Sequence, residues 1–240
     1  MSAFAQARAR GFTLVELAVA LFVVALLLGS LLVPLGTQVE QRQVAEAEKA
    51  LEQIREALLG HALANGYLPC PDLTGGAGAN DGVEDVAAAG TCAGDDGNLP
   101  WVTLGVGAID PWNNRYRYHV DTRFAARAPA TPFGLATGAS VRVWTSAAQT
   151  TPLTSSDPNG AAAVVLSHGR NGKGAISALT GASNAPATSN DEEENADGTV
   201  HFVSRPPSAA DSPAGEFDDV VTWLSRFTLY SRMVSAARLP

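Results

Sequence analysis

Three residues near the start of the chain, Gly11, Phe12 and Glu16, have the types and spacing for covalent and electrostatic chemistry. Gly11 places no side chain in the way of a peptidase, and a cut after it would free the Phe12 amine, whose pKa of about 8 leaves it largely cationic at neutral pH. Glu16 follows four residues later. A carboxylate at ~4 Å from such an amine is attracted by about 4 kcal/mol at an effective dielectric of 20. Glu16 is also the one ionisable side chain between Phe12 and Leu35, and a charge in mid-membrane costs on the order of 3 kcal/mol. Either Glu16 lies near the end of the run and stays hydrated, or a cation offsets the cost. Elsewhere the chemistry is sparse. His61, His119, His168 and His201 are scattered, no G-x-S-x-G elbow occurs, and neither cysteine has a histidine partner in sequence, so no catalytic set is expected. His168–Gly174 (HGRNGKG) lacks the spacing of a phosphate loop, and a hairpin turn at Asn171-Gly172 accounts for it better.

The element that must carry Glu16 is the apolar run from Phe12 to Leu35. Roughly 24 residues at 1.5 Å each make about 36 Å of helix, enough for a ~30 Å hydrocarbon core. The leader MSAFAQARARG contains Arg8 and Arg10, and no small-residue cleavage site follows the run. A cut after Gly11 therefore leaves the apolar helix on the mature chain.

Gly11-Phe12-Thr13-Leu14-Val15-Glu16, with basic residues before it and an apolar helix after it, resembles the prepilin signature of type IV pilins and type II secretion pseudopilins. The resemblance implies that a prepilin peptidase cleaves between Gly11 and Phe12 and methylates the new Phe12 amine, which keeps its charge. In a helical stack, Glu16 of one subunit would meet Phe12 of the next and set the axial register. Arg8 and Arg10 favour a cytoplasmic N-terminus. The expectation is a single-pass protein of the bacterial inner membrane whose C-terminal domain is periplasmic, later joining a filament. Cys70 and Cys92 suit that oxidising side as a disulfide, closing a loop worth roughly 3 kcal/mol. Two free thiols or half a metal site are the alternative, although no second cysteine pair completes a zinc set.

At 240 residues, 46% hydrophobic and 17% charged, the chain can supply one membrane helix and one medium globular domain. The net charge is -8, and removing Arg8 and Arg10 lowers Lys+Arg from 16 to 14 against 24 acids, about -10 before the new amine is counted. That balance carries no nucleic-acid footprint. Four segments are expected: a leader over 1–11, a transmembrane and assembly helix over 12–35, the periplasmic half of that helix over 36–66, and a globular β domain over 67–240.

Pro34 and Gly36 predict a kink or local melting. Beyond them Val44, Ala47, Leu51, Ile54 and Leu58 form one apolar stripe, and Asn65-Gly66 with Pro69 and Pro71 ends the helix. The Gly- and Asp-rich stretch Thr74–Asn98 reads as a long loop. Its Asp81, Glu84, Asp85, Asp95 and Asp96 offer oxygen ligands without an EF-hand spacing, which favours a solvated acidic loop over a calcium site. Strands are expected at 115–121, 140–145, 162–167, 175–179, 199–203 and 220–224, with a polar excursion over 183–197. A terminal helix after Ser225 should use Phe227, Tyr230, Val234 and Ala237 as its face. Trp101, Trp112, Trp144 and Trp223 read as packing residues.

Three further stretches extend the resemblance to the major pseudopilin of type II secretion. Asp110-Pro111-Trp112-Asn113-Asn114-Arg115-Tyr116 is similar to its DPWGNPY-like segment, Ser167–Gly172 (SHGRNG) to its SxGxDG segment, and Asp218–Trp223 (DDVVTW) to its D-I-x-x-W. The SxGxDG region contributes to a calcium site in that group, and here Asn171 stands where the aspartate would be. No cofactor is therefore expected, with structural calcium as the alternative. The fold class implied is α+β and pilin-like: a long N-terminal helix packed on an antiparallel sheet, with a short C-terminal helix. The function implied is structural, within a type IV pilus or a type II secretion pseudopilus, with prepilin peptidase, other subunits and the inner membrane as partners. The alternative is a membrane-tethered periplasmic binding module that does not polymerise.

Overall fold

The computed structural model describes residues 12–75 and 80–239, with the backbone alone described over 28–35. The expected leader over 1–11, including Gly11, lies outside the described residues. The chain divides into two compact units, one ending at Arg42 and the other starting at Gln43.

The first unit holds the N-terminal part of helix α1, Leu14–Asn65. Phe12, Leu14, Leu17, Leu21 and Phe22 are exposed there. Among the described residues no helix is long and apolar enough to cross a membrane. The expected span over 12–35 includes 28–35, whose side chains are not described. The backbone stays helical through Pro34 and Gly36, so the expected melting is not seen.

The second unit is built on the rest of α1. Ala47, Leu51, Ile54 and Leu58 recur at helical spacing and are all buried, and burying each leucine or isoleucine side chain contributes about 1.5–3 kcal/mol. Helix α1 stops where Gly66 takes a left-handed φ of 89°, a conformation that costs glycine nothing. The stripe packs into a core with Tyr118, Val120, Phe124, Ala163, Val165, Leu224 and Leu229.

The sheet against it has four strands: β1 (Asp96–Asn98), β2 (Arg117–Val120), β4 (Ala161–Ser167) and β6 (Val220–Ser225), all neighbours antiparallel in the order β1-β2-β4-β6. Central strand β4 is buried along its whole length. This confirms the α+β class with its long N-terminal helix and antiparallel sheet. A second sheet pairs β3 (Arg142–Trp144) with β5 (His201–Val203) in parallel. Its Val143 and Phe202 share a smaller core with Val164 and Leu166 of β4.

Short helices α2 (Trp101–Leu104) and α3 (Asn190–Glu194) interrupt the loops, and the chain closes with α4 (Arg226–Ser235), capped by Ser225. Three expectations need correction. Residues 175–179 form isolated bridges to Ser183 and Asn114, not a strand, because local bonds such as Ser177 N–H to Ala182 O fold the segment on itself. In α4 the buried residues are Leu229, Tyr230 and Met233, while Phe227 and Val234 are exposed. The excursion over 183–197 contains α3, whose Asp191 and Glu192 are buried.

Candidate functional site

At the start of α1, Thr13 and Glu16 bond reciprocally. The Thr13 N–H and hydroxyl both donate to Glu16 Oε2 at 3.0 Å, and the Glu16 N–H donates to Thr13 Oγ1 at 3.2 Å. This is a capping box, which satisfies N–H groups that a helix start leaves orphaned. Thr13-Leu14-Val15-Glu16 is the T-x-x-E pattern for it, a local signal that the spacing argument for Glu16 leaves out. Both bonds from Thr13 go to Oε2, so the geometry directs Oε1 away from the cap. Phe12 is 85% exposed and leads directly into this cap.

In the second unit Cys70 and Cys92 are joined by a disulfide. The acidic loop beside it is tied down more than a solvated loop would be. Glu84 accepts from Arg127 at 2.7 Å and from the Cys70 N–H at 3.0 Å. Asp85 accepts from the Leu73 N–H, and Asp96 forms a two-pronged pair with Arg117. Asp72, fully buried, accepts from the Asn80 and Gly82 N–H groups at 2.9 and 2.8 Å, yet burial outweighs those bonds and pushes its carboxyl up to about 6. Asp81 and Asp95 remain exposed.

The three stretches singled out in the globular part come together in space. Ser167 at the end of β4 donates to Asp110 Oδ2 at 2.6 Å, and Asp110 accepts from the Trp112 and Asn114 N–H groups. Four residues after Ser167, the Asn171 N–H donates to Asp218 Oδ2 at 2.8 Å. Asn171 Nδ2 donates to Glu192 Oε1 at 3.0 Å. Gly169 makes this approach feasible: its φ is +59°, and a Cβ there would lie 2.3 Å from the Asp218 carbonyl oxygen.

Around Asn171 the carboxylates of Glu192, Asp218 and Asp219 offer oxygens within 4.8 Å of one another. Burial first, then repulsion from Asp219, Glu192 and Glu216, pushes Asp218 up to about 6, against the Asn171 bond. Burial likewise raises Glu192, with Asp219 adding repulsion. His168 Nδ1 stands 3.6 Å from Asp219 Oδ1, both side chains being buried. Glu192 is the residue that sequence reasoning missed. Ser189-Asn190-Asp191-Glu192 is a helix-start pattern, and the Glu192 N–H does bond Ser189 Oγ. Its burial depends on contacts that no local pattern encodes.

The geometry thus holds a capped helix start and a buried acidic cluster. The four histidines do not gather: His119 faces Asp96 in the sheet, His201 lies against Trp144, His61 against Tyr67, and only His168 touches the cluster. No curated protein and no solved structure matches the chain. Residues 6–32, which include Gly11, Phe12, Thr13 and Glu16, match the family model of the prokaryotic N-terminal methylation motif, so the chain carries the prepilin-type signature of type IV pilins and pseudopilins.

Proposed function

We propose that this chain is a structural subunit, pilin-like or a minor pilin or pseudopilin, of a type IV pilus or a type II secretion pseudopilus. The observation that carries this reading is the methylation motif over residues 6–32. Prepilin peptidase cleaves between Gly11 and Phe12 and methylates Phe12. Residues 12–35 then anchor the chain in the inner membrane, with the segment from 67 onward on the periplasmic side. Exposed Phe12, Leu14, Leu17, Leu21 and Phe22 support this reading, because such a run is costly in water and needs lipid or neighbouring helices around it. In a filament Glu16 would accept the Phe12 amine of a neighbouring subunit. No catalytic role is assigned.

The test is mass spectrometry of filaments sheared from cells that express the full chain. Recovery of peptides from the second unit, together with an N-terminal methylated Phe12, is the expected result. A processed chain found only in the membrane fraction would overturn the filament reading in favour of a tethered, non-polymerising module.

A further inference from the structure

We infer that the outer edge of β6 is a docking site for an extended, uncharged segment of another protein, which pairs with Val220–Leu224 as a further strand of the main sheet. Central strand β4 is buried along its whole length, whereas in β6 only Leu224 is buried and the other residues are half-buried. Alternate residues of β6 turn their N–H and C=O groups away from β4, as antiparallel pairing requires. Among the described residues, no group outside β4 bonds to the backbone of Val220–Leu224. Other strands are closed off. Beside β1, the Asp72 N–H donates to Asn98 O at 3.0 Å and the Asn98 N–H to Asp72 O at 2.7 Å. In β5, the side chain of Asn195 bonds both the N–H and the C=O of Val203.

An open edge is normally blunted by lysine, proline, a bulge or a covering segment, because its free groups template pairing with an extended chain. Val220-Val221-Thr222-Trp223-Leu224 has no charge and no proline. Its pairing with β4 runs in unbroken register from Ser167 to Ala163, and the one irregularity lies beyond, between Ala163 and Ala161. The side chains of β6 alternate between two cores: Val220 and Leu224 join the one under α1, and Val221 and Trp223 the one shared with β3 and β5. An added strand extends both cores at once, so its own residues must be uncharged and apolar on both faces. Backbone pairing then supplies affinity, and the fit beside Val221 and Trp223 supplies selectivity. A second copy of this chain would bring its own β6, and pairing one edge with itself closes a two-fold dimer. Filament subunits stack head to tail instead, so the choice of a different protein as donor rests on the proposed function, although the open edge does not.

The experiment measures backbone amide exchange of the full chain in detergent micelles. The probe is a peptide with the sequence of Ala161–Ser167, the strand that β6 already accepts on its inner edge, with lysines added outside it for solubility. A control peptide, methylated at every backbone nitrogen, keeps the side chains and removes the donors. At about nine times its Kd, the probe should slow exchange of the outward β6 amides about tenfold and leave those of β1 unchanged. Thr222→Lys, which puts a charge on the edge, should weaken the probe at least about tenfold; if that variant does not fold, the methylated control carries the comparison. No protection by the probe, equal protection by the methylated control, or unchanged binding to folded Thr222→Lys would each overturn the docking site. A concentration-dependent dimer protected at β6 without the probe would overturn the choice of a different protein as donor. None of these readouts depends on whether the chain is recovered from filaments.

Discussion

Glu16 has two possible partners of very different worth, and separating them tests why a carboxylate stands in an apolar run. Within the chain it accepts two bonds from Thr13 at 3.0 Å, and a cap of this kind contributes about 1 kcal/mol. Between subunits, a contact with the Phe12 amine at ~4 Å contributes about 4 kcal/mol at an effective dielectric of 20. The first corresponds to roughly a fivefold effect and the second to roughly a thousandfold effect. Thr13→Val keeps the side-chain shape and removes only the hydroxyl of the cap. Glu16→Leu removes both interactions and relieves an insertion cost on the order of 3 kcal/mol, so membrane residence should not suffer. Intact mass reports cleavage, and quantitative mass spectrometry compares sheared filaments with the membrane fraction. The expected pattern is full processing of both variants, Thr13→Val in filaments within about fivefold of wild type, and Glu16→Leu near background. Glu16→Leu at wild-type abundance in filaments, or equal depletion of both variants, would refute intersubunit pairing as the reason for the carboxylate.

Gly11→Val should leave a precursor longer by the leader, seen by intact mass, because the peptidase then meets a branched side chain beside the scissile bond; normal processing would remove the leader assignment. The Cys70–Cys92 bridge spans a sequence separation of 22 and should contribute roughly 3 kcal/mol, so the double serine variant should melt roughly 6–12 °C lower by calorimetry; an unchanged Tm would deny the bridge a stabilising role. Asp72 titrates in the folded chain at about 6 against an ordinary 3.8, so folding favours its protonated form. Its contribution to stability is therefore greatest below about pH 4, falls as pH rises to about 6, and is level above that. Asp72→Asn should flatten the decline of the urea midpoint across this window, and equal slopes for the two proteins would refute the shift.

Residues whose role is set by near neighbours were legible. The stripe through Ala47, Leu51, Ile54 and Leu58 recurs at helical spacing, and one face of a helix suffices to bury it. Gly66 ends α1 because its backbone alone can take φ 89° cheaply. Strands β2, β4 and β6 announce themselves through β-branched and aromatic residues, Tyr118 and Val120 in β2, Val164 and Val165 in β4, and Val220 to Trp223 in β6. Strand β1, by contrast, is Asp-Gly-Asn, a sequence with no strand propensity. It pairs because β2 presents an edge and because Asp96 binds Arg117 across the ladder. Strands β3 and β5 fall inside the segments 140–145 and 199–203 that read as extended, but their parallel pairing is not legible locally, since the two lie more than fifty residues apart.

The acidic cluster is the sharpest case of a property that belongs to space and not to the string. Counting carboxylates along Ser167–Gly172 finds none at Asn171 and argues against a cation. Asn171 lies 21 residues before Glu192 and 47 before Asp218 and bonds both. Replacing an aspartate by asparagine at such a position removes a charge and adds a two-proton donor, and a donor there can draw in a carboxylate that a second aspartate would repel. Asn171 and the buried carboxylate of Glu192 are therefore coupled through one hydrogen bond. Which buried oxygens converge around such a loop is a matter of the fold, because spacing along the chain says nothing about it.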